Sequence, residues 1–342
     1  MNDSLAGLVP AIRRVHARIR DAVVAACERQ DAESLSAVAG DEPDGGDTIY
    51  AIDRISEDVL VAELEREVCA DTPAVLIAEG LPGGELVLPR GTDKKHAQFC
   101  MVVDPIDGTR GLMYQKRSAW ILTGIAAGRG DRETLGDIVA AVQTEIPLVK
   151  QHLSDTLWAV RGQGAQGVRV DRLTGRETPL RLRPSTARVI AHGFAMLARF
   201  FPGGRDLLAA VDDDMMRALL GPAPDGRALC FEDQYISSGG QLYELMIGHD
   251  RFVADLRPLL AAHLARTGWP APLCCHPYDL CTALIAEELG VVITDDRGLP
   301  LAPPLRLDAD VAWVGYANAH LRELAEPALQ QALRRHGLWR EK

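Results

Sequence analysis

Two aspartates placed three residues apart follow an apolar segment in the first half of the chain. Residues 100–103 are apolar, predict a buried strand and lead directly into Asp104. Pro105 and Gly108 favour a turn, and that turn presents a second carboxylate at Asp107. Two carboxylates on a rigid turn can bind a hard divalent cation without a conformational search. An ordinary surface β-turn is the alternative interpretation, because Asp, Pro and Gly are also the usual turn residues.

The surrounding sequence favours cation binding over a plain turn. Three other apolar segments also meet an acidic residue: one ends at Asp53, one ends at Glu79, and one predicted helix begins at Asp279. Buried elements rarely end on charged side chains unless those charges are paired or bound. We therefore expect these carboxylates to lie close together in the folded chain.

The residues after the second aspartate suit an anion. The turn lets the carbonyl of Ile106 point toward the same cation. Gly108 and Thr109 can open a helix, and the first N–H groups of a helix are free to receive a phosphate. The segment thus combines cation ligands with a phosphate-binding helix start.

Hydrophobic periodicity predicts a layered α/β architecture, because strands and helices alternate without a strict βαβ repeat. The predicted helices cover residues 5–29, 55–68, 205–220, 240–247, 278–289 and 320–336. The predicted strands cover residues 48–52, 74–78, 100–103, 119–127, 137–144, 156–161, 189–192, 252–256, 291–294 and 311–316. Loops are expected at 40–47 and, as an exposed hairpin or loop, at 162–184. A boundary near Pro184 divides the chain into two halves, 1–184 and 185–342, which together form one catalytic unit.

Composition excludes several classes of protein. The formal charge of −11 argues against binding a nucleic-acid polymer, which needs Lys/Arg clusters. No apolar run approaches the roughly 20 residues that cross a membrane, and the N-terminus lacks the pattern of a signal peptide. The seven cysteines form no C-x-x-C pair and predict reduced thiols in a cytoplasmic protein.

Taken together, these motifs resemble those of the inositol monophosphatase-like family of Mg²⁺-dependent, lithium-sensitive phosphatases. The segments that carry the resemblance are, in chain order, Asp47–Asp53, Ile77–Glu79, Asp104–Thr109 and Tyr278–Asp279 with its apolar helix and Gly290. The resemblance implies an alternating α-β-α-β-α sandwich of the sugar phosphatase type. It also implies a homodimer that hydrolyses a small phosphate monoester, such as a sugar, cyclitol or inositol phosphate, with a metal-activated water.

The resemblance assigns roles to particular residues. Two or three Mg²⁺ ions are implied, in sites that Mn²⁺ or Ca²⁺ could also occupy. The implied metal ligands are Glu79, Asp104 and the Ile106 carbonyl for the first ion, and Asp104, Asp107 and Asp279 for the second. A third, weaker ion is implied near Glu79. The implied catalytic residues are Asp53, Glu79 and Thr109. Of these, Asp53 and Thr109 would form the pair that orients and deprotonates the attacking water. The implied substrate-binding residues are Gly108, Thr109, Ser238, His276 and Asp279.

The chain departs from the family pattern at several positions. Gly80 stands where many members carry a second Glu, and Pro272 stands where inositol-cleaving members place a Glu. Arg110 and Gly111 are closer to the Lys-Gly of the nucleotide branch, whereas Gln241 replaces a Lys used by that branch. Two alternatives therefore remain open: a 3′(2′),5′-bisphosphate nucleotidase, and a catalytically silent metal-binding relative.

Two further features have a structural and a functional interpretation. His276 can contact substrate, or it can be a histidine whose hydrogen bonds are satisfied within the fold. The Ser-Ser-Gly-Gly sequence at 237–240 precedes a predicted helix, where it can line the substrate side of the site or simply cap the helix.

Overall fold

The computed structural model describes residues 5, 7–30, 32–41, 48–222, 226–266, 268–270 and 272–339. Most of the predicted loop at 40–47, including Asp47, lies outside the described residues. The α-helices are α1 (Val9–Arg29), α2 (Ala32–Leu35), α3 (Ala51–Glu67), α4 (Thr109–Met113), α5 (Arg205–Leu220), α6 (Ser238–Ile247), α7 (Arg257–Ala265), α8 (Ala283–Glu287) and α9 (Ala319–Arg335). Short 3₁₀ turns lie at Pro82–Gly84, Lys94–His96, Leu135–Asp137 and Pro277–Leu280.

The strands form three sheets. They are β1 (Val38–Asp41), β2 (Thr48–Tyr50), β3 (Ala74–Ala78), β4 (Glu85–Leu88), β5 (Phe99–Asp107), β6 (Ala119–Ala127), β7 (Ile138–Ile146), β8 (Leu153–Val160), β9 (Ala165–Asp171), β10 (Glu177–Pro179), β11 (Phe194–Leu197), β12 (Asp250–Asp255), β13 (Val292–Thr294) and β14 (Trp313–Tyr316). The large sheet has the order β10-β9-β8-β7-β6-β5-β3-β4, the second has the order β11-β12-β14-β13, and β1 pairs with β2. The pairs β3–β5 and β11–β12 are parallel, and the other pairs are antiparallel.

The large sheet is covered on both faces, which explains why its central strands read as continuous apolar runs. Along β5, Met101 and Val103 belong to one apolar cluster and Cys100 and Val102 belong to another. Successive side chains of a strand point to opposite faces, so each cluster fills one side of the sheet.

Five layers follow from the packing of the elements. Helices α1 and α3 pack together on one face of the large sheet, and α6 and α8 lie between the large sheet and the four-stranded sheet. Helices α5 and α9 pack against each other and against the four-stranded sheet. The predicted α-β-α-β-α sandwich is therefore confirmed. The two larger sheets are formed by residues on either side of Pro184, and the division into two domains stays a prediction.

Most predicted elements are present, and three of them, β3, β6 and α5, have the predicted bounds. The segment 162–184 contains the hairpin formed by β9 and β10. The strand predicted at 189–192 is wrong. The backbone turns at His192, whose φ is 62°, and the strand begins at Phe194, which pairs with β12. The apolar residues before His192 have high β propensity, but no neighbouring strand pairs with them in the described residues. Pairing with a partner strand, more than propensity, decides where a strand forms.

Two predictions about the segments that carry the carboxylates are wrong in detail. The strand predicted at 48–52 ends at Tyr50, and Asp53 lies in the first turn of α3, where its Oδ2 accepts the Tyr50 N–H (2.8 Å). Strand β5 continues beyond Asp104 to Asp107, with a register shift in place of the predicted turn. Asp104 pairs with Leu122 and Asp107 pairs with Trp120, so the extra backbone forms a bulge that re-aims the two carboxylates.

The helix predicted at 278–289 is broken. A 3₁₀ turn covers Pro277–Leu280, and α8 begins only at Ala283. Among the described residues no helix is both long and apolar enough to cross a bilayer. All seven cysteines are free thiols, in agreement with the predicted reduced state.

His16 is buried where α1 packs on the large sheet. Its Nε2 lies 2.8 Å from the Thr123 hydroxyl and its Nδ1 lies 3.0 Å from the Thr144 hydroxyl. Burial lowers the pKa of His16 to about 3, far below the 6.5 of an exposed histidine. The imidazole is therefore neutral in the folded chain at every pH at which an unfolded histidine takes up a proton.

We predict that His16 makes the fold acid-sensitive. The unfolded state binds a proton at this histidine near pH 6.5, whereas the folded state does not until about pH 3. The contribution of neutral His16 to the free energy of unfolding is therefore complete above pH 6.5 and is lost as the pH falls. The expected loss between pH 8 and pH 5 is about 2 kcal/mol. Urea unfolding of wild type and His16→Gln at both values measures it, because other titrating groups cancel in the difference. An identical pH dependence for the two proteins would contradict this assignment.

Candidate functional site

Three aspartates from separate parts of the sequence converge on one point. Asp104 and Asp107 lie on the bulge at the end of β5, and Asp279 lies in the 3₁₀ turn before α8. One carboxylate oxygen from each lies within 4.8 Å of the other two. Asp104 and Asp107 are 4% and 6% exposed, so this cluster is an interior feature and not a solvated acidic surface.

The start of helix α6 holds Asp107. Its Oδ2 accepts hydrogen bonds from the Ser237 hydroxyl (2.8 Å) and the Gly239 N–H (2.5 Å), and its Oδ1 accepts the Ser238 N–H (3.3 Å). These N–H groups have no partner within the helix, and the positive end of the helix dipole favours a carboxylate there. Ser237 is also the N-cap residue, because its Oγ accepts the Gly240 N–H (2.8 Å). The Ser-Ser-Gly-Gly sequence therefore caps the helix and also positions an acidic residue of the site, while its contact with substrate stays a prediction.

Backbone groups hold the other two aspartates. The Ile106 N–H donates to Asp104 Oδ1 (2.9 Å) across the bulge, and the His276 N–H donates to Asp279 Oδ2 (2.6 Å) at the start of the 3₁₀ turn. Both bonds span only two or three residues. The orientation of each carboxylate is therefore set by its own local segment.

Burial raises the pKa of all three groups, and repulsion within the cluster raises it further for Asp104 and Asp107. Burial raises the pKa of Asp104, and the charges of Asp107, Asp279 and Glu79 raise it further. Burial and Asp279 likewise raise the pKa of Asp107, against the hydrogen bonds from the α6 segment. Burial raises the pKa of Asp279, while the His276 N–H and the nearby Arg257 guanidinium oppose it. Like charges this close favour proton uptake or the binding of a cation.

A hydroxyl and a carboxylate lie directly beside this cluster. Thr109 Oγ1 is 3.1 Å from Asp53 Oδ1 and 2.8 Å from the Ile106 carbonyl oxygen, so its single proton has two acceptors. Gly108 has φ 98° and is the N-cap of α4. A Cβ at this position would lie 3.0 Å from Cβ of Ser237, so glycine is required where the two segments approach.

The predicted residues share one cavity of about 80 Å³. Those that line it are Glu79, Asp104, Ile106, Asp107, Gly108, Thr109, Ser238, His276 and Asp279. Asp53 does not line the cavity and reaches it through its hydrogen bond to Thr109. The convergence expected from the sequence is therefore present, while the chemical role of each residue stays a prediction.

Two residues predicted to bind substrate also have structural partners. Ser238 is 6% exposed, and its Oγ lies 3.6 Å from Cys275 Sγ. The His276 ring places Nδ1 3.1 Å from the Ala309 carbonyl oxygen and stacks on Tyr278 at 5.3 Å. Both residues line the cavity, but their positions are fixed by contacts within the protein.

Sequence reasoning missed the cationic and aromatic part of the cavity wall. Arg257 is 5% exposed, forms an ion pair with buried Asp255 through Nη2 (2.5 Å), and lies 4.6 Å from the Phe200 ring. The guanidinium groups of Arg257 and Arg110 lie 5.1 Å and 5.4 Å, respectively, from the centre of the Phe201 ring. The only sequence signal was the pair of adjacent phenylalanines in a polar loop, and no local pattern connects it with the acidic motifs.

The structure explains why residue 80 is glycine. Gly80 has φ 79°, and a Cβ there would lie 2.0 Å from Oε1 of Glu57. A side chain at this position would therefore clash with Glu57 as well as strain the backbone. The carboxylate next to residue 80 therefore comes from Glu57 on α3.

No protein-family model matches the chain, and no curated protein sequence matches it. Among solved structures, holo fructose-1,6-bisphosphatase from Leishmania major superposes with a TM-score of 0.68 at 15% identity, covering 94% of this chain and 93% of that one. The protein suhB from Bartonella henselae superposes with a TM-score of 0.64 at 16% identity, covering 95% of this chain and 99% of that one. Both belong to the inositol monophosphatase/fructose bisphosphatase superfamily. At the level of the fold the resemblance is confirmed, and the chain has the fold that these two proteins share.

Proposed function

We propose that this protein is a Mg²⁺-dependent phosphatase of the inositol monophosphatase-like family that hydrolyses a small phosphate monoester. The convergence of Asp104, Asp107 and Asp279 in one buried cavity supports this proposal most directly. The Thr109–Asp53 pair at its edge supplies a group that can orient water. The name of one structural neighbour, fructose-1,6-bisphosphatase, is consistent with this reaction.

The donor set fits a hard divalent cation. The three aspartates and Glu79 offer only oxygen atoms, which Mg²⁺, Mn²⁺ and Ca²⁺ prefer. Their raised pKa values follow from burial and nearby negative charge, which a divalent cation would offset. We propose that Glu79, Asp104, the Ile106 carbonyl, Asp107 and Asp279 hold the metal. A bound divalent cation supplies a more acidic water and neutralises charge on the transferred phosphoryl group.

The remaining chemistry is assigned to two residues of the chain. With its proton directed to Asp53 Oδ1, Thr109 Oγ1 presents a lone pair that can accept a hydrogen bond from a water in the cavity. Asp53 Oδ2 is fixed by the Tyr50 N–H, so the carboxylate is held in one orientation toward Thr109. Phosphoryl transfer depends mainly on positioning and charge neutralisation, so few other groups are required.

We propose a sugar or cyclitol phosphate as the substrate. The cavity is small and its floor is acidic, so the phosphoryl group fills it and the rest of the substrate contacts the rim. His276 and Arg110 offer hydrogen bonds at that rim, as hydroxyl groups require. Pro272 offers no side-chain acceptor for ring hydroxyls, which disfavours myo-inositol phosphate.

A 3′(2′),5′-bisphosphate nucleotidase is the second candidate, and the aromatic rim favours it. Arg110 lies 5.7 Å from the Tyr50 ring and 5.4 Å from the Phe201 ring, so a cation and two rings flank the cavity mouth. Such a rim can receive a base and a second phosphate. Gln241 disfavours it, because this residue is buried and donates to the Tyr235 carbonyl oxygen (2.7 Å).

A phosphate-release panel tests the proposal. Purified protein is assayed with sugar phosphates, cyclitol phosphates, fructose 1,6-bisphosphate and nucleotide bisphosphates, in Mg²⁺ or in EDTA. We expect release from sugar or cyclitol phosphates in Mg²⁺ alone, and a loss of about 10³-fold or more in kcat for Asp104→Asn. Asp58→Asn, which changes an exposed acid on α3, is the control. Phosphate release from nucleotide bisphosphates alone would show that the second candidate, not a sugar or cyclitol phosphatase, is correct. Full activity of Asp104→Asn would refute the proposed metal site.

We predict that Thr109→Ala lowers kcat by roughly 10²–10⁴-fold, because the variant loses the hydroxyl that orients water. Mg²⁺ affinity should change little, since the Thr109 side chain is not among the proposed metal ligands. Thr109→Ser retains the hydroxyl and serves as the matched control, with activity within about tenfold of wild type. Equal losses in the Ser and Ala variants would show that packing of the methyl group, not the hydroxyl, is what matters.

We predict that Mg²⁺ stabilises the protein more at high pH. The three aspartates have raised pKa values, so their contribution to the stability of the metal-free fold is greatest below the unfolded value near 4 and is lost as the pH rises. Mg²⁺ binds the deprotonated form and reverses that loss, by about 2.7 kcal/mol at 100 times its Kd. Thermal unfolding with and without Mg²⁺ should show a larger shift in Tm at pH 8 than at pH 5. An equal shift at both values would contradict the metal assignment.

A further inference from the structure

A second cavity, of about 340 Å³, shares no lining residue with the candidate catalytic cavity. This volume lies within the range of small-ligand sites, roughly 300–1,000 Å³. Its walls are aromatic and its floor and rim carry charged groups of both signs. None of these residues has a part in the proposed hydrolysis.

One cross-strand row of the large sheet connects the two cavities. Asp107 pairs with Trp120, and Trp120 pairs with Glu145 on the next strand. The Asp155 N–H donates to Glu145 Oε2 (3.1 Å), and Asp155 pairs with Arg169. Directly paired residues share a face of the sheet, so the row runs from the aspartate cluster across the floor of the second cavity.

Two tyrosines fix the walls of this cavity. The Tyr235 hydroxyl donates to the Ser118 carbonyl oxygen (2.7 Å) and accepts the indole N–H of Trp120 (3.0 Å). The Tyr243 ring lies 4.6 Å from Trp120, and its hydroxyl donates to Asp155 Oδ2 (2.7 Å). The cavity is therefore preformed and does not depend on loose side chains.

The acceptors on the floor already have donors. Glu145 accepts hydrogen bonds from the Ser118 hydroxyl (2.6 Å) and the Asp155 N–H. Asp155 accepts both Nε and Nη2 of Arg169, at 2.7 Å each, in addition to the Tyr243 hydroxyl. A ligand that offers hydrogen-bond donors would find these groups largely occupied.

The lining also carries donors that no described acceptor uses. Within the part of the chain that the structure describes, the Lys116 ammonium has no hydrogen-bond or ion-pair partner. In that same part, Nη1 of Arg169 and Nε2 of Gln151 have no hydrogen-bond acceptor, and all three residues line the cavity. Guanidinium and ammonium donors bind phosphate and carboxylate groups strongly.

We propose that this cavity is a second ligand site, which binds the phosphate or carboxylate group of a small metabolite through Lys116, Arg169 and Gln151. The Tyr243 ring receives the rest of the ligand, because the Tyr235 ring is 6% exposed and has the Arg117 guanidinium 4.3 Å from its centre.

Helix α6 connects this site with the aspartate cluster. Its first N–H groups bind Asp107, and Tyr243 on the same helix binds Asp155 on the cavity floor. A ligand that moves Tyr243 therefore acts on the helix that positions Asp107. This coupling rests on the proposed metal site, whereas binding in the second cavity does not.

Calorimetric titration of the metal-free full chain in EDTA tests the binding. Inorganic phosphate and citrate are titrated separately, which distinguishes a phosphate ligand from a carboxylate ligand. We expect at least one of them to bind with 1:1 stoichiometry, and Lys116→Gln to weaken it about tenfold or more, as loss of one charge-assisted hydrogen bond does. Lys95→Gln, an exposed lysine paired with Asp93, is the charge-matched control and should bind as wild type does.

The variant Arg110→Gln tests whether the anion binds in the candidate catalytic cavity instead, because Arg110 lines that cavity and not the second one. We expect this variant to bind phosphate or citrate like wild type. Binding that is lost in Arg110→Gln but kept in Lys116→Gln would overturn the second site, and so would the absence of binding by either anion. These results come from metal-free protein, so they are independent of whether the phosphatase proposal holds.

Mg²⁺ titrations with and without the bound anion test the coupling. In wild type the anion should change the Kd for Mg²⁺ by about fivefold or more, and in Tyr243→Phe it should bind but leave that Kd unchanged. Lys116→Gln, titrated at the same anion concentration, corrects for anion that binds directly to the metal. An unchanged Kd in wild type would overturn the connection through α6 while leaving the binding result intact.

Discussion

The mutual repulsion of three buried carboxylates is the constraint on which the rest of the structure depends. Asp104, Asp107 and Asp279 lie within 4.8 Å of one another in a largely buried position, which is unfavourable unless the charges are compensated. The fold compensates part of this charge with backbone N–H groups from the β5 bulge, the start of α6 and the 3₁₀ turn. In the proposed site, a divalent cation would neutralise the remaining charge.

Helix α6 has a central place in this arrangement. It lies between the two larger sheets, its N-terminus holds Asp107, and Tyr243, on its second turn, contacts the row of polar residues that crosses the large sheet. The proposed cation site and the second cavity are therefore both contacted by the same helix. Under the proposed coupling, a structural change at either site is transmitted to the other through this helix.

The sequence was sufficient for the architecture and for most of the acidic cluster. Apolar runs that end in Asp104 and Glu79 predict the site because strands of one sheet end at a common edge, and α5 and β6 follow from clear periodicity. The strand expected at 189–192 failed because strand position depends on a distant partner, β12. The bulge at Pro105 and the capping role of Asp53 depend on hydrogen-bond geometry, which no periodicity encodes. Arg257 and the two phenylalanines come near the aspartates only through tertiary packing, so no local motif could reveal them.

The account is tested most directly by locating the metal. Crystals grown or soaked with Mn²⁺ and measured at its absorption edge would show the ion by anomalous scattering. The account predicts a peak bound by carboxylate oxygens of Asp104, Asp107 and Asp279, at distances typical of oxygen ligands. Full-occupancy binding elsewhere on the chain, with no peak among these three residues, would contradict it.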